Sequence, residues 1–591
     1  MDTLQLNLPL RDAAPGKAPD LRPKVLKAWL AELPMAHAID AGQQLLDGLR
    51  EINQSFIAAG ARHSTLELLH PIVHKISAAL QRSHRDATFP LPAGHCLMTT
   101  LNQQLLEEMA NGYKQAISDR LLDDASAANL EALTLAQVDK VLLGSLWRAV
   151  NYLSALLLEC YLIYAPEPEG AWQDLHRLYQ FAEQHLLHIY AVEAAPDDPP
   201  EPVTLSESYK RILLLALCNP YHLMPDEAAT LFHQLGTWAA NVKLTRIAGN
   251  PSLAGNFVID LDADLAPLYA APSKSLGAPT HGRLIDVGAL LAQLDEHVHA
   301  LRANLKEKQL RNLPCLAERR DHDLYLRLKH SWEMRHDRRF ARSAQPSSVV
   351  MVTGLSACHH YISEMAEFTP EEDETALRDF EDSGASEPYT QRRQPTRYTP
   401  NEAGQTADVW QQVYAKAKPA TKSAHSQGPA RDTARFAANH WQQRNTGHGG
   451  LAVYCVNDCR ASVRVGELVT YKRNPTHTPG AWHLGVIRWL RAPDFASIDL
   501  GIMALTEQTQ AVATRAQRGT GAGGDYARSL LIRHSEQGLK QDALITPPTI
   551  YDEGTLLLVN LGNRLLSVKL TELVESTRTY ALFRYTTITA A

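Results

Sequence analysis

Cysteine is scarce in this chain, seven in 591 residues. An odd and thinly spread set excludes a disulfide framework and fits a reducing compartment. Positive charge is not in excess either. Lys and Arg number 58 against 65 Asp and Glu, for a net charge of −7, so the global basic field of a nucleic-acid-coating protein is missing. DNA is not an expected partner, and any anion site must be local. Residues Met1 to Pro23 lack the charged-then-apolar order of a signal peptide. The longest apolar run, Leu153 to Ala165, is interrupted by Glu159 and falls short of the roughly 20 apolar residues of a membrane span. A cytoplasmic protein without membrane insertion is the expectation.

Catalytic and cofactor signatures are also missing from the sequence. There is no phosphate loop, no Gly-x-Ser-x-Gly elbow and no dinucleotide fingerprint after a strand, and the glycines at Gly519 to Gly524 have no accompanying Lys. Cys455 and Cys459, or Cys358 with His359 and His360, do not have the closer paired spacing of structural zinc. Asp321, His322, Asp323, His330 and His336 read as a solvated helix face. The chain is expected to be no enzyme and to hold no metal or cofactor.

What is present divides the chain into several domains, since 591 residues exceed one hydrophobic core. Residues 1–22, rich in Pro, Asp and Ala, read as a disordered leader. A helical period follows over 23–310: Asp40 is placed to cap a helix whose Leu45, Leu46, Leu49 and Ile52 share one face. Similar stripes cover Leu66 to Leu80, Met98 to Ile117 and Leu133 to Tyr164, with a break at Ala165 to Gly170. Paired helices in the manner of a helical-repeat array are predicted, with an extended pattern near Asn256 to Leu261 and a charged helix from Val287 to Gln309. Between Glu367 and Glu387 stand nine acidic residues against one Arg, and the stretch 367–436 reads as a disordered insertion. It is flanked by β-like texture at 311–366 and 437–510, and a second small β domain is expected over 511–591. The predicted strands there include Leu451 to Val456, Leu468 to Lys472, Trp482 to Arg491 and Leu556 to Leu561.

Two motifs stand out. Arg335, Arg338, Arg339 and Arg342 form two overlapping Arg-x-x-x-Arg frames ahead of an apolar run at Val349 to Val352, and Asn445-Thr446-Gly447-His448-Gly449-Gly450 opens the strand at Leu451. Leaving out 367–436 brings Arg342 within 33 positions of Asn445, a strand and a turn apart. With Arg464 to Val469, Leu484 to Trp489 and Leu500 to Ile502, this order resembles a PilZ domain, the six-stranded barrel family that binds cyclic di-GMP. The resemblance covers about 120 non-contiguous residues. It implies that Arg338 and Arg342 clamp phosphate and guanine, Arg335 and Arg339 offering the other frame, with Asn445, Gly447 and Gly450 on the barrel face. The chemistry suits such a ligand. A guanidinium takes phosphate bidentately, pairs with guanine O6 and N7, and stacks on the base, while Asn445 beside glycines accepts from guanine donors where the backbone comes close. Gly447 stands where the family carries Ser, which removes one hydroxyl hydrogen bond.

The expected architecture is therefore multidomain α+β: an N-terminal all-α helical-hairpin array, a PilZ-like β-barrel and a second small β-module. The favoured function is a signalling adaptor that senses cyclic di-GMP and binds a protein partner through its helical half. The alternatives are a degenerate PilZ-like scaffold that binds no nucleotide and, third, an undetected hydrolase in the helical half.

Overall fold

A computed structural model describes residues 4–11, 20–82, 87–122, 139–192, 203–224, 226–249, 252–270, 277–311, 316–333, 343–344, 346–383, 436–447, 449–456, 461–473, 481–506, 508–518, 521–522, 524–533 and 542–588. The chain forms two compact units. One comprises residues 1–303, 324–337 and 490–496, the other 304–323, 338–489 and 497–591.

In the first unit the helices are α1 (Pro23–Glu32), α2 (Ala38–Gln54), α3 (Ala59–Gln81), α4 (Ala93–Leu122), α5 (Lys140–Leu162), α6 (Ala171–Gln184), α7 (Leu205–Leu217) and α8 (Glu227–Trp238). The expected stripe on α2 is buried: Leu45, Leu46 and Leu49 are wholly enclosed. Asp40 lies in the first turn of α2 without capping it, a position where a negative charge meets the positive end of the helix dipole. True caps occur elsewhere. Asp139 accepts from the amides of Val141 and Leu142 at the start of α5, and Thr204 with Glu207 forms a reciprocal capping box on α7. Helix α5 is long and apolar enough to cross a bilayer, but 78% of its most apolar window is buried within the unit, against neighbours such as α4 and α7.

The helical array is not purely α. Strands β1 (Lys243–Arg246), β2 (Phe257–Asp260), β3 (Leu268–Tyr269) and β4 (Gly282–Asp286) make a small sheet in the order β1-β4-β2-β3. Phe257, Ile259 and Ile285 join the same core as the helices, which explains why an extended segment is stable there. Helices α9 (Gly288–Leu310) and α10 (Leu316–Trp332) follow. The leader also departs from expectation, since residues 4–11 are ordered against the helices and Leu4 and Leu6 pack on their core.

The second unit holds β5 (Ser348–Thr353), α11 (Leu355–Ile362), α12 (Pro370–Ser383), β6 (Asn439–Gly447), β7 (Gly450–Val456), β8 (Leu468–Arg473), β9 (His483–Asp494) and β10 (Ser497–Thr506). The six strands close into a barrel in the order β10-β7-β6-β5-β8-β9. Part of the stretch expected to lack structure, Pro370–Ser383, is thus helix α12; residues 384–435 lie outside the described residues. Then come β11 (Thr509–Arg518), β12 (Gly521–Ala522), β13 (Ala527–Ile532), β14 (Ala543–Thr546), β15 (Leu556–Asn560), β16 (Leu565–Ser576) and β17 (Ala581–Thr587). Pairing of β11 with both β13 and β15 closes six of them into a second barrel.

The two barrels share one apolar cluster. Leu355, Leu468, Leu484 and Val486 of the first meet Leu530, Ile532, Ile545 and Leu582 of the second. A charged fork spans the same junction, with Arg488 donating to Glu575 through Nη1 at 2.5 Å and Nη2 at 3.0 Å.

Candidate ligand-binding face of the first barrel

Strands β6 and β7 form a hairpin in which Gly447 faces Gly450, so the Asn445 to Gly450 motif is the end of one strand, a two-residue loop and the start of the next. His448 in that loop lies outside the described residues. Along β7 and β10 the side chains of Leu451, Val453, Ile498, Leu500 and Ile502 are buried and pair across the strands in register. By strand alternation, Ala452, Tyr454, Asp499 and Gly501 belong to the opposite, outer face.

Asn445 pairs with Ala452, which in turn pairs with Gly501. Half-buried Asn445 therefore begins a row of small residues across β6, β7 and β10. The row is bounded by Trp489, whose indole lies so close over Gly501 that a Cβ there would be 1.8 Å from Nε1. Ala452 is itself only 3% exposed and the indole covers Gly501, so half-buried Asn445 is the polar group this row presents.

A register shift between Gln443 and Asn445 leaves Arg444 as the extra residue of a bulge, a device that re-aims side chains at a strand edge. Arg444 Nη2 donates to both carboxylate oxygens of Asp499, at 3.1 and 3.0 Å, and its guanidinium lies 5.1 Å from the Tyr454 ring centroid. With the Arg444 side chain 55% exposed, the pair adds little stability and is easily exchanged for another anion. Sequence reasoning passed over Arg444 because it stands one place ahead of the motif.

Ser343 meets this face. Ser343 and Thr446 exchange both main-chain hydrogen bonds, N–H to O at 2.9 Å and 3.0 Å, and form an antiparallel bridge. Ser343 follows Arg342 in the chain. The residue directly after Arg342 therefore pairs with Thr446 in the strand that carries Asn445. Arg335, Arg338, Arg339 and Arg342 themselves lie outside the described residues. Gly450 has a structural reason of its own: its φ is 143°, and a Cβ would sit 1.9 Å from the Ile502 carbonyl oxygen.

Two of the residues weighed for a metal, Cys358 and His359, lie in the core. Buried Cys358 has its thiol pushed well up by burial, and His359 contacts the Val512 carbonyl at 3.2 Å with its pKa pushed down to about 3, chiefly by burial. Cys459 lies outside the described residues. Among the described residues no group of three or more His, Cys, Asp or Glu is arranged to hold a metal ion.

Three family profiles match the chain in order. They are those of the cyclic-di-GMP receptor FimW: its N-terminal domain over residues 24–250, its middle PilZ domain over 256–511 and its C-terminal β-barrel domain over 512–588. The middle of this chain is a PilZ domain. Its matched span begins at 256, earlier than the 311 expected from the sequence, because it takes in β2 to β4 and α9. A Pseudomonas aeruginosa protein described as a cyclic-di-GMP receptor, FimW, is 26% identical over 588 residues, covering 96% of this chain and 90% of its own length. No solved structure matches the chain. The first barrel lies within the span that matches the PilZ domain, and the face built by β6, β7 and β10 carries the stretch Asn445 to Gly450.

Proposed function

We propose that this chain is a cytoplasmic signalling adaptor whose PilZ domain binds cyclic di-GMP on the outer face at Asn445, with Arg338 and Arg342 as its phosphate and guanine contacts. The helical unit passes the signal to a protein partner. The main support is the Ser343–Thr446 bridge, which brings the chain directly after Arg342 against the strand that carries Asn445. The two arginines supply bidentate donors for phosphate and the guanine edge. Trp489 offers a ring at the edge of the same face, and Arg444 a further cation. The similarity to a relative described as a cyclic-di-GMP receptor points the same way.

Calorimetric titration of cyclic di-GMP into the full chain tests this. Saturable heat is expected, abolished in Arg338→Ala/Arg342→Ala and weakened in Asn445→Ala. Loss in Arg335→Ala/Arg339→Ala with binding kept in Arg338→Ala/Arg342→Ala would assign the other frame. Heat unchanged by all of these variants would move the ligand elsewhere, and no heat in the wild-type chain would leave a scaffold that binds no nucleotide.

A further inference from the structure

The ordered leader reads as a ligand. Leu4, Leu6 and Leu8 are half-buried while Gln5 and Asn7 are exposed, the period of two that an extended strand imposes. The helical unit holds its main chain. The Asn7 amide donates to Asp174 Oδ1 at 2.9 Å, Lys114 Nζ donates to the Asn7 carbonyl at 2.7 Å, and Arg177 Nη1 donates to the Gln5 carbonyl at 2.8 Å. Lys114 and Asp174 are 4% and 2% exposed and face each other at 2.7 Å.

A buried ion pair is tolerated only when its remaining donors and acceptors are also satisfied, and here a peptide main chain satisfies them on both sides. The backbone of the groove is shaped for the same occupant. At Gly170, with φ 79°, a Cβ would come within 2.7 Å of Asn7 Nδ2. At the other end Arg11 pairs with Asp119 at 2.7 Å and lies 5.5 Å from the centroid of Phe56, a ring that stays 68% exposed, while Leu10 is 96% exposed.

Main-chain hydrogen bonds combined with pockets for alternate apolar side chains are the recognition mode of extended peptides in general. Nothing in that mode requires the peptide to belong to the same chain. We propose that this groove is where the helical unit takes its protein partner, as an extended segment with apolar residues at alternate positions and a basic residue to meet Asp119. Residues 4–11 are its resident occupant and are displaced when the partner binds. The inference rests on the reading of the helical unit as partner-binding and names the site. A tethered occupant competes at an effective concentration on the order of millimolar, so the groove accepts only a partner that exceeds that competition.

The test uses the full chain and a fluorescein-labelled peptide of residues 4–11. In the Leu4→Asp/Leu6→Asp variant, which expels the resident segment, the peptide should bind saturably, at least tenfold tighter than to the wild-type chain by fluorescence anisotropy. Adding Arg177→Ala should weaken it severalfold. Asn7→Pro, which removes the amide that Asp174 accepts, is a second way to loosen the resident segment and should also raise peptide affinity. If both variants keep a wild-type circular dichroism spectrum and cooperative melt yet bind no peptide, the proposal is overturned; so is binding that equals wild type and ignores Arg177→Ala. The assay contains no nucleotide, so its failure is separate from that of the calorimetric titration.

Discussion

A methyl group at Gly450 would collide with the Ile502 carbonyl from the neighbouring strand, and its φ of 143° is one that residues with a Cβ avoid. Gly450→Ala is therefore expected to cost about 3 kcal/mol of barrel stability, as overpacking of a tight site does, readable as a lower midpoint in urea. Gly447 offers the opposite case. Gly447→Ser restores the hydroxyl of the family pattern, and one further hydrogen bond to a charged ligand is worth roughly 1.5 kcal/mol, so cyclic di-GMP should bind about tenfold tighter in the same calorimetric titration. In the helical core, Glu159 is fully enclosed and accepts from Gln81 Nε2 at 2.9 Å; burial pushes its pKa from 4.5 up to about 7. The folded chain thus keeps a proton that the unfolded chain releases above 4.5. Stability from this group is full below 4.5, falls as pH rises toward 7, and is gone above it. Glu159→Gln should remove that slope, so thermal midpoints of variant and wild type should converge at pH 4.5 and separate by pH 8, with the variant higher.

At the level of single elements, α12 shows what composition conceals. Its acidic run read as unfoldable, yet Pro370 opens the helix and Glu371, Glu372 and Asp373 fill its first turn, where fixed φ and negative charge both favour helix. What holds it is distant in sequence: Glu374 accepts from Arg515 Nη2 at 2.6 Å and from the Tyr526 hydroxyl at 2.8 Å. Glu374→Ala should lower barrel stability by about 2 kcal/mol and speed hydrogen exchange across 370–383. The docked leader was hidden for the same reason, since its three half-buried leucines are too few to signal a strand and the Lys114–Asp174 pair that holds them lies more than a hundred residues on. Where local pattern suffices, the sequence was readable. Leu451 to Val456 and Leu468 to Lys472 alternate or run apolar between turn residues and are strands within a residue of expectation, and the helix expected from Val287 to Gln309 is Gly288–Leu310. The Asn445 motif could be recognised on the outer face of its barrel, but the Arg444 bulge, the Trp489 indole over Gly501 and the Ser343–Thr446 bridge depend on strand register, which no single segment encodes.

Across the whole molecule, burial is organised in separate cores. One large cluster belongs to the helical unit, whereas the barrels share a cluster of their own and add a second beneath β11 to β17. Differential scanning calorimetry should resolve two transitions, with both barrels melting in one of them. Cyclic di-GMP at 100 times its Kd should stabilise the barrel transition by about 2.7 kcal/mol and leave the helical transition in place.

The cluster between the barrels also matters for anyone wishing to build an optical biosensor from this PilZ domain. Cutting after Thr506 would strip the cover from Leu355, Leu468, Leu484 and Val486 and leave Arg488 without Glu575. Such a fragment should be sticky and poorly soluble. A fluorescent reporter should carry both barrels as one cassette, with its chromophores fused outside the pair and never inserted at the joint.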